Sequence, residues 1–252
     1  MLASELERRL YQVDRDLVAM YGRKVLVPHG DAVGELVHTI LTQNTSDANS
    51  DRTYAALRQA FPTWDMLADA DAEQVEAVIR LGGLARTKAA RIVQVLRRLR
   101  DERGSITLDG LERLPKMEAF EELNRYVGVG PKTAACVLLF ALGVPVFPVD
   151  THVHRVANRL GLVSTKAPSA TQAELMPVVP EEITYQLHMN MVKHGRVTCR
   201  AQRPRCDECR LAPYCTVPAV RRQEGRKERG GRTQGESGGE HDELGGEADP
   251  QI

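Results

Sequence analysis

The chain has 252 residues, with 34 Lys and Arg balanced by 34 Asp and Glu, 42% hydrophobic residues and 4% aromatic residues. That length is enough for one or two domains with a sizeable core. It contains no uninterrupted apolar run of about 18 residues, which excludes a transmembrane helix, and its charged start, MLASELERRLYQ, lacks the apolar stretch of a secretory signal, so a cytoplasmic protein with no membrane partner is expected.

In chain order, helical spacing dominates. Leu6, Leu10, Val13, Leu17 and Met20 recur three and four apart and predict a helix over residues 2–20. Asp31 is placed to cap a helix over 33–43, whose apolar face is Val33, Leu36, Val37, Ile40 and Leu41. Further helices are predicted over 47–60, 72–81, 87–103, 118–126, 132–142, 151–160, 171–179 and 181–193. Gly82-Gly83, Gly104 and Gly161 mark helix ends, where glycine takes the left-handed turn that stops a helix. Residues 144–149 are apolar, but Pro145 and Pro148 interrupt any ladder, so this run is an extended connector. No segment alternates strictly enough for a strand and no fixed-period repeat is present. The expected class is all-α.

Zero net charge, taken at face value, argues against a nucleic-acid partner, but the charges are segregated. Residues 220–232 carry a net +4, residues 233–252 a net −6, and residues 1–219 a net +2. Eight of the 20 glycines lie between Gly225 and Gly246. A Gly-rich charged stretch buries too little apolar surface to offset chain entropy, so 220–252 is expected to be a disordered tail. Without its last 20 residues the protein has a net charge of +6.

The run Tyr126-Val127-Gly128-Val129-Gly130-Pro131-Lys132-Thr133-Ala134 breaks a helical pattern with Gly-Val-Gly and restarts it with a proline suited to a first helical position. Two helices joined by such a turn form a helix-hairpin-helix. Glycine lets a phosphate approach the backbone, and the free N–H groups and positive dipole end of the second helix favour an anion. An ordinary interhelical turn has the same glycines. Lys132 sits in the first turn of that helix, where the dipole disfavours an ammonium and favours a nucleophilic amine; a phosphate-contacting or solvated lysine is the plainer reading.

Downstream, Asp150 opens the segment Asp150-Thr151-His152-Val153-His154 as a natural N-cap. Helix-end amides hold a carboxylate in its charged form, ready to stabilise positive charge on a sugar or to accept a proton. His152 and His154 are two apart and face different sides of a helix, so they are poor partners for one metal. Cys199, Cys206, Cys209 and Cys215 fall within 17 residues around a central C-x-x-C, a strong metal-site pattern that either Zn²⁺ or an iron–sulfur cluster satisfies. Arg196, Arg200, Arg203, Arg205 and Arg210 crowd the same segment and would offer phosphates a positive surface. Cys136, in the helix after the hairpin, reads as a buried small apolar residue.

The hairpin with Lys132, the Val149-Asp150-Thr151-His152 run 18 residues after it, and cysteines spaced x6, x2, x5 together resemble endonuclease III, the iron–sulfur branch of the helix-hairpin-helix DNA glycosylases, over residues 25–216. The resemblance implies a two-lobed helix-hairpin-helix glycosylase fold: a six-helix barrel domain over 25–144, a cluster domain from the N-terminal helix (1–24) and 145–219, and an active site in the cleft between them. It implies a [4Fe-4S] cluster on Cys199, Cys206, Cys209 and Cys215. It further implies that Lys132 attacks the sugar C1′ while Asp150 assists base departure and proton transfer, and that β-elimination then nicks the strand 3′ to the abasic site. Such an enzyme extrudes its base from the stack. The resemblance gives the residues that fill the vacated space as Asn44, where the family usually has Gln, and Leu84.

The expected partner is therefore double-stranded DNA carrying a damaged base, most of all an oxidised pyrimidine, or an abasic site, engaged by a monomer through Asn44, Leu84, Gly128, Gly130, Thr133, Arg200, Arg203 and Arg205. Tyr126-Val127 stands where the family's hairpin opens Leu-Pro, and Ala85 is small. That altered opening motivates an alternative, a monofunctional glycosylase or a non-catalytic damaged-DNA-binding protein on the same scaffold.

Overall fold

Why the chain turns where it does is seen first at the helix caps. In the computed structural model, which describes residues 3–217, Asp31 accepts a hydrogen bond from the Gly34 N–H at 2.8 Å and starts α2 (Ala32–Thr42), after α1 (Ala3–Tyr21). Ser46 caps α3 (Asp47–Ala60), and Thr63 caps the short α4 (Trp64–Asp69). At α5 (Ala72–Ile79) the Asp71 side chain accepts from the helix while the Asp71 N–H donates to Gln74 Oε1 at 3.0 Å, a reciprocal box that satisfies two otherwise orphaned donors. A single 3₁₀ turn, Arg80–Gly82, leads to α6 (Ala85–Arg103), which Gly104 ends with φ +73°.

After a 3₁₀ turn at Leu111–Arg113 come α7 (Lys116–Asn124) and α8 (Pro131–Cys136), and α8 continues as one π-wound stretch, Val137–Ala141. There follow α9 (Thr151–Arg159), α10 (Pro168–Leu175), a 3₁₀ turn at Glu181–Ile183, α11 (Thr184–Val197) and two more 3₁₀ turns, at Cys206–Glu208 and Ala212–Tyr214. Among the described residues every regular element is helical, as the periodicity predicts, and no helix is long and apolar enough to cross a membrane. The tail expected at 220–252 lies outside the described residues.

Several boundaries differ from the sequence expectation. Helix α4 is only six residues long and was not predicted. Helix α10 begins at Pro168 rather than 171, because a proline fits the first turn where its missing N–H has no helical acceptor. The segment predicted over 181–193 divides into a 3₁₀ turn and a helix that runs on to Val197.

Two hydrophobic cores form. The first gathers the apolar faces of α2 to α8, with Leu36, Ile40, Leu67, Ile92, Leu96 and Leu138 among its fully buried residues, and reaches Val146. The second joins Leu10, Val13 and Leu17 of α1 to Phe147, Val153 and Val156, Leu187, Met191 and Leu211. Each fully buried Leu or Ile contributes roughly 1.5–3 kcal/mol. The first helix thus packs beside the last ones, against α11, which in turn packs on α9. The chain leaves the first core at Val146 and enters the second at Phe147, within the extended connector.

Candidate active site

The hairpin is built by short main-chain bonds. The Tyr126 N–H donates to Leu123 O at 3.2 Å and the Val129 N–H to Tyr126 O at 3.0 Å, folding the chain back between α7 and α8. Gly128 takes φ +86°, and a Cβ there would sit 2.9 Å from Arg91 Cδ, so both conformation and space demand glycine. Gly130 is different. Its backbone is extended, and a Cβ would meet nothing within 4 Å, so its value lies in leaving the main chain bare.

Tyr126 shows how the altered opening is held. It is buried, donates its hydroxyl hydrogen bond to Glu102 Oε2 at 3.1 Å, and lies beside the Arg98 and Arg125 guanidinium groups, each 5.0 Å from the ring. The Arg98 hydrogen bond holds the Glu102 carboxyl below its ordinary range. Val127 is exposed at the tip.

Lys132 occupies the second position of α8, and the first-turn amides there have no helical acceptor. Thr133 is buried, so its side chain faces the interior and only its main chain is suited to a backbone phosphate. Asp150 is the N-cap of α9, its Oδ1 accepting from the Val153 N–H at 2.7 Å. The buried Gln172 of α10 links the two segments. Its Nε2 donates to Pro131 O at 3.0 Å and its Oε1 accepts from the Val149 N–H at 3.4 Å, touching the residues just before Lys132 and Asp150.

Behind the pair lie two buried groups, both within electrostatic reach of Lys132 and Asp150. Burial pushes the Cys136 thiol up to about 11, which keeps it neutral and agrees with its expected apolar role. Burial pushes His188 down to about 4, with Asp150 opposing the change, and its Nδ1–H donates to Pro148 O at 2.9 Å. His188 escaped sequence reasoning because it sits in an ordinary helical pattern with no neighbouring motif. His152 and His154 point to separate partners, Arg155 and Thr171, so they do not share a ligand.

Asn44 and Leu84 lie on adjoining turns. Both are exposed with left-handed backbones, φ +54° and +50°, and a Cβ on Gly83 would lie 3.9 Å from Asn44 O. Leu84 is 57% exposed, a large apolar side chain offered to solvent at the start of α6. Leu81, 88% exposed on the preceding turn, was missed; its signal was an apolar residue directly before Gly-Gly at a helix end.

The cysteine segment is tied to the far end of α9. Arg155 Nε donates to Cys199 O at 3.0 Å, while Arg159 Nη1 reaches Cys199 Sγ at 3.3 Å and Arg200 O at 2.7 Å. Cys215 Sγ donates to Arg159 O at 3.2 Å, and Cys209 Sγ lies 3.7 Å from His194 Nε2. Burial raises the Cys209 thiol to about 11, and Cys199, Cys206 and Cys215 push it the same way, so the four sulfurs act on one another. Among the described residues no three His, Cys, Asp or Glu side chains converge as a metal-ion site requires. The donor set nevertheless fits an iron–sulfur group: four soft, partly buried thiols within 17 residues of chain.

The arginine cluster is less free than its sequence count implies. Arg196 pairs with Asp47 at 2.7 Å, Arg205 with Glu208 at 3.7 Å and Arg210 with Asp16 at 3.9 Å. Arg200 and Arg203 are exposed and carry no ion pair among the described residues.

Comparison with known proteins places this geometry. The family model described as "HhH-GPD superfamily base excision DNA repair protein" matches residues 37–181. A putative DNA glycosylase of Arabidopsis thaliana is 42% identical over 163 residues, 64% of this chain and 56% of that protein, so the chain spans just over half its length. Endonuclease III of Thermotoga maritima is 38% identical over 180 residues, 71% of this chain and 80% of the relative. The protein is similar to a solved non-covalent endonuclease III–DNA complex with a TM-score of 0.70 and 28% identity, over 88% of this chain and 98% of that one. A trapped endonuclease III–DNA covalent intermediate matches with a TM-score of 0.71 over the same shares.

Proposed function

The chain belongs to the HhH-GPD superfamily of base excision DNA repair proteins, with endonuclease III among its relatives, and on that premise we propose that it is a DNA glycosylase with lyase activity whose chemistry rests on Lys132 and Asp150. The observation that carries this reading is the placement of the two side chains at the starts of α8 and α9, joined through Gln172 and sharing buried neighbours.

In that reading the hairpin main chain and the start of α8 hold a backbone phosphate, which positions the strand without reading its sequence. The damaged nucleotide is extruded, with Asn44 and Leu84 filling the gap. Lys132 Nζ, in its neutral form, attacks C1′, and the bond from C1′ to the base breaks. The departing base takes the electron pair and a proton. Asp150 stabilises the positive charge developing on the sugar and accepts a proton from the lysine nitrogen. The nitrogen lone pair then forms the C=N bond as the C1′–O4′ bond breaks and O4′ takes the proton held by Asp150, and the resulting protonated Schiff base makes the C2′ hydrogens acidic. Loss of one, with departure of the 3′ phosphate, cuts the strand, and water then frees Lys132.

The lobes are assigned as 25–144 for the barrel and 1–24 with 145–219 for the other, a division supported by the two separate cores. Cys199, Cys206, Cys209 and Cys215 would hold a [4Fe-4S] cluster. Held there, it would fix the loop that presents Arg200 and Arg203, and with less charge to spare Arg205, to phosphates. The protein acts as a monomer on duplex DNA of the cytoplasmic nucleoid, with oxidised pyrimidines and abasic sites as substrates.

Borohydride reduction on abasic-site DNA tests the central claim. A covalent adduct that vanishes in Lys132→Ala is expected; no adduct, or one that survives, overturns the lysine's role. A panel of lesion duplexes, scored separately for base release and strand cleavage, fixes the substrate and exposes a monofunctional enzyme as release without cleavage. A brown protein with broad visible absorption supports the cluster, and a colourless one with stoichiometric zinc refutes it.

A further inference from the structure

Helix α6 carries a lysine in an unusual place. Lys88 is 1% exposed, and its ammonium has no carboxylate partner among the described residues; it donates instead to two main-chain carbonyls, Leu41 O at 2.7 Å and Gly82 O at 2.8 Å. Leu41 lies in the last turn of α2, three residues before Asn44, and Gly82 ends the 3₁₀ turn, two residues before Leu84. One helical turn later, on the same face, Arg91 Nη1 donates to Gln43 Oε1 at 3.1 Å, and its aliphatic stem lies against Gly128 of the hairpin. A buried cation without an ion pair is costly, and burial accordingly lowers the Lys88 pKa. An apolar side chain would fill the same interior space without that cost. What the ammonium adds is a fixed distance between two turns of backbone that have no hydrogen-bonded ladder of their own.

We propose that Lys88 is a positioning residue which, aided by Arg91, locks the Asn44 turn, the Leu84 turn and the phosphate-binding hairpin to one helix, so that base extrusion and strand grip occur in a fixed register. This rests on the reading of Asn44 and Leu84 as the residues that fill the vacated space. Both have left-handed backbones, which persist only where surroundings over-determine them. The two carbonyl contacts supply that constraint from beneath, out of reach of DNA. Lys88 touches no reacting atom, so its contribution falls on opening a paired duplex rather than on the bond-breaking step.

The test compares two substrates under single turnover for the full chain, Lys88→Met and Arg91→Met. One is a duplex with an oxidised pyrimidine opposite guanine; the other is a single-stranded oligonucleotide with an abasic site, which has no paired base to extrude. Lys88→Met is expected to slow reaction on the duplex roughly a hundredfold, the order of loss when a site is displaced by about 1 Å. Borohydride trapping on the single strand should match the unaltered chain. Arg91→Met, which keeps the aliphatic stem against Gly128 but removes the donor to Gln43, should show the same selective loss more weakly. Equal loss on both substrates, or no loss on the duplex, overturns the proposal.

Hydrogen exchange without DNA decides independently of activity. Amides of 41–46 and 82–84 should exchange faster together in Lys88→Met while those of α9 stay unchanged; unaltered loops, or faster exchange throughout, overturn it. An unaltered chain that traps neither substrate refutes the Lys132 reading, and the exchange result still rules on Lys88.

Discussion

Replacing Asp150 separates a helix cap from a catalytic group, because the same carboxylate does both jobs. Its Oδ1 accepts from the Val153 N–H at 2.7 Å, so losing the acceptor in Asp150→Ala should cost about 1 kcal/mol. For a domain of this size that is a fall of roughly 2–4 °C in Tm. Asn caps nearly as well as Asp, and Asp150→Asn should unfold within about 1 °C of the unaltered protein. The chemical role predicts a very different ordering. Positioned proton transfer contributes about 10²–10⁴ in rate, or about 3–5 kcal/mol of barrier, and an amide cannot supply it. Asp150→Asn should therefore be as slow as Asp150→Ala while remaining as stable as the unaltered chain. Affinity for lesion DNA should hold or rise slightly, since a negative charge is removed from the phosphate-binding face. Thermal melts, filter binding and single-turnover base release on one lesion duplex give all three quantities. An Asn variant that turns over normally, or one that loses activity and Tm in step, refutes the catalytic assignment and leaves only the cap.

Other substitutions probe the hairpin, the buried imidazole and the tail. Gly128→Ala places a Cβ 2.9 Å from Arg91 Cδ at φ +86° and should destabilise by roughly 1–3 kcal/mol while weakening DNA binding; an unshifted urea midpoint would show that the turn relaxes freely. His188 is held neutral, with its folded pKa near 4 against about 6.5 unfolded, so the unfolded chain takes up the proton first as pH falls. Stability should drop between about pH 6.5 and 4, by up to roughly 3 kcal/mol from this residue, and His188→Gln should flatten that slope in pH-resolved urea melts. Deleting residues 233–252 leaves a net charge of +6 and should tighten salt-sensitive DNA binding; unchanged affinity would return the acidic end to a solubility role.

The helical class and most helix starts were legible because they rest on local rules. Asp31 and Asp150 cap where an acidic residue precedes an apolar period, and Gly104 stops α6 with a positive φ. The lysine, the aspartate and the cysteines were legible as motifs of residue type and spacing. What stayed hidden are contacts between residues distant along the chain. Gln172 lies 41 residues from Pro131 and 23 from Val149, and nothing in its own segment marks it as a bridge between them. Lys88 belongs to no motif in the sequence of α6, yet it is buried and bonded to the carbonyls of Leu41 and Gly82. The five arginines read as one positive patch, but three spend their charge on Asp47, Glu208 and Asp16, and only tertiary structure brings the first and last of those acids near.

Helix α9 shows why the local and the distant features belong to one design. It has nine residues, about 13 Å of axis. Asp150 caps its start, and Arg155 and Arg159, from its middle and end, hold the carbonyls of Cys199, Arg200 and Ala201. An error in the cysteine segment therefore acts on the same rigid element that fixes the carboxylate. Arg159 also donates to Cys199 Sγ and lends its own carbonyl to Cys215 Sγ, so two of the four thiols depend on one residue. Arg159→Met keeps the aliphatic stem but removes the donors. It should loosen the Arg200 loop and weaken salt-sensitive DNA binding, while leaving the Asp150 cap intact. If base release fell with affinity unchanged, the helix would be transmitting displacement to Asp150 and not merely anchoring the loop.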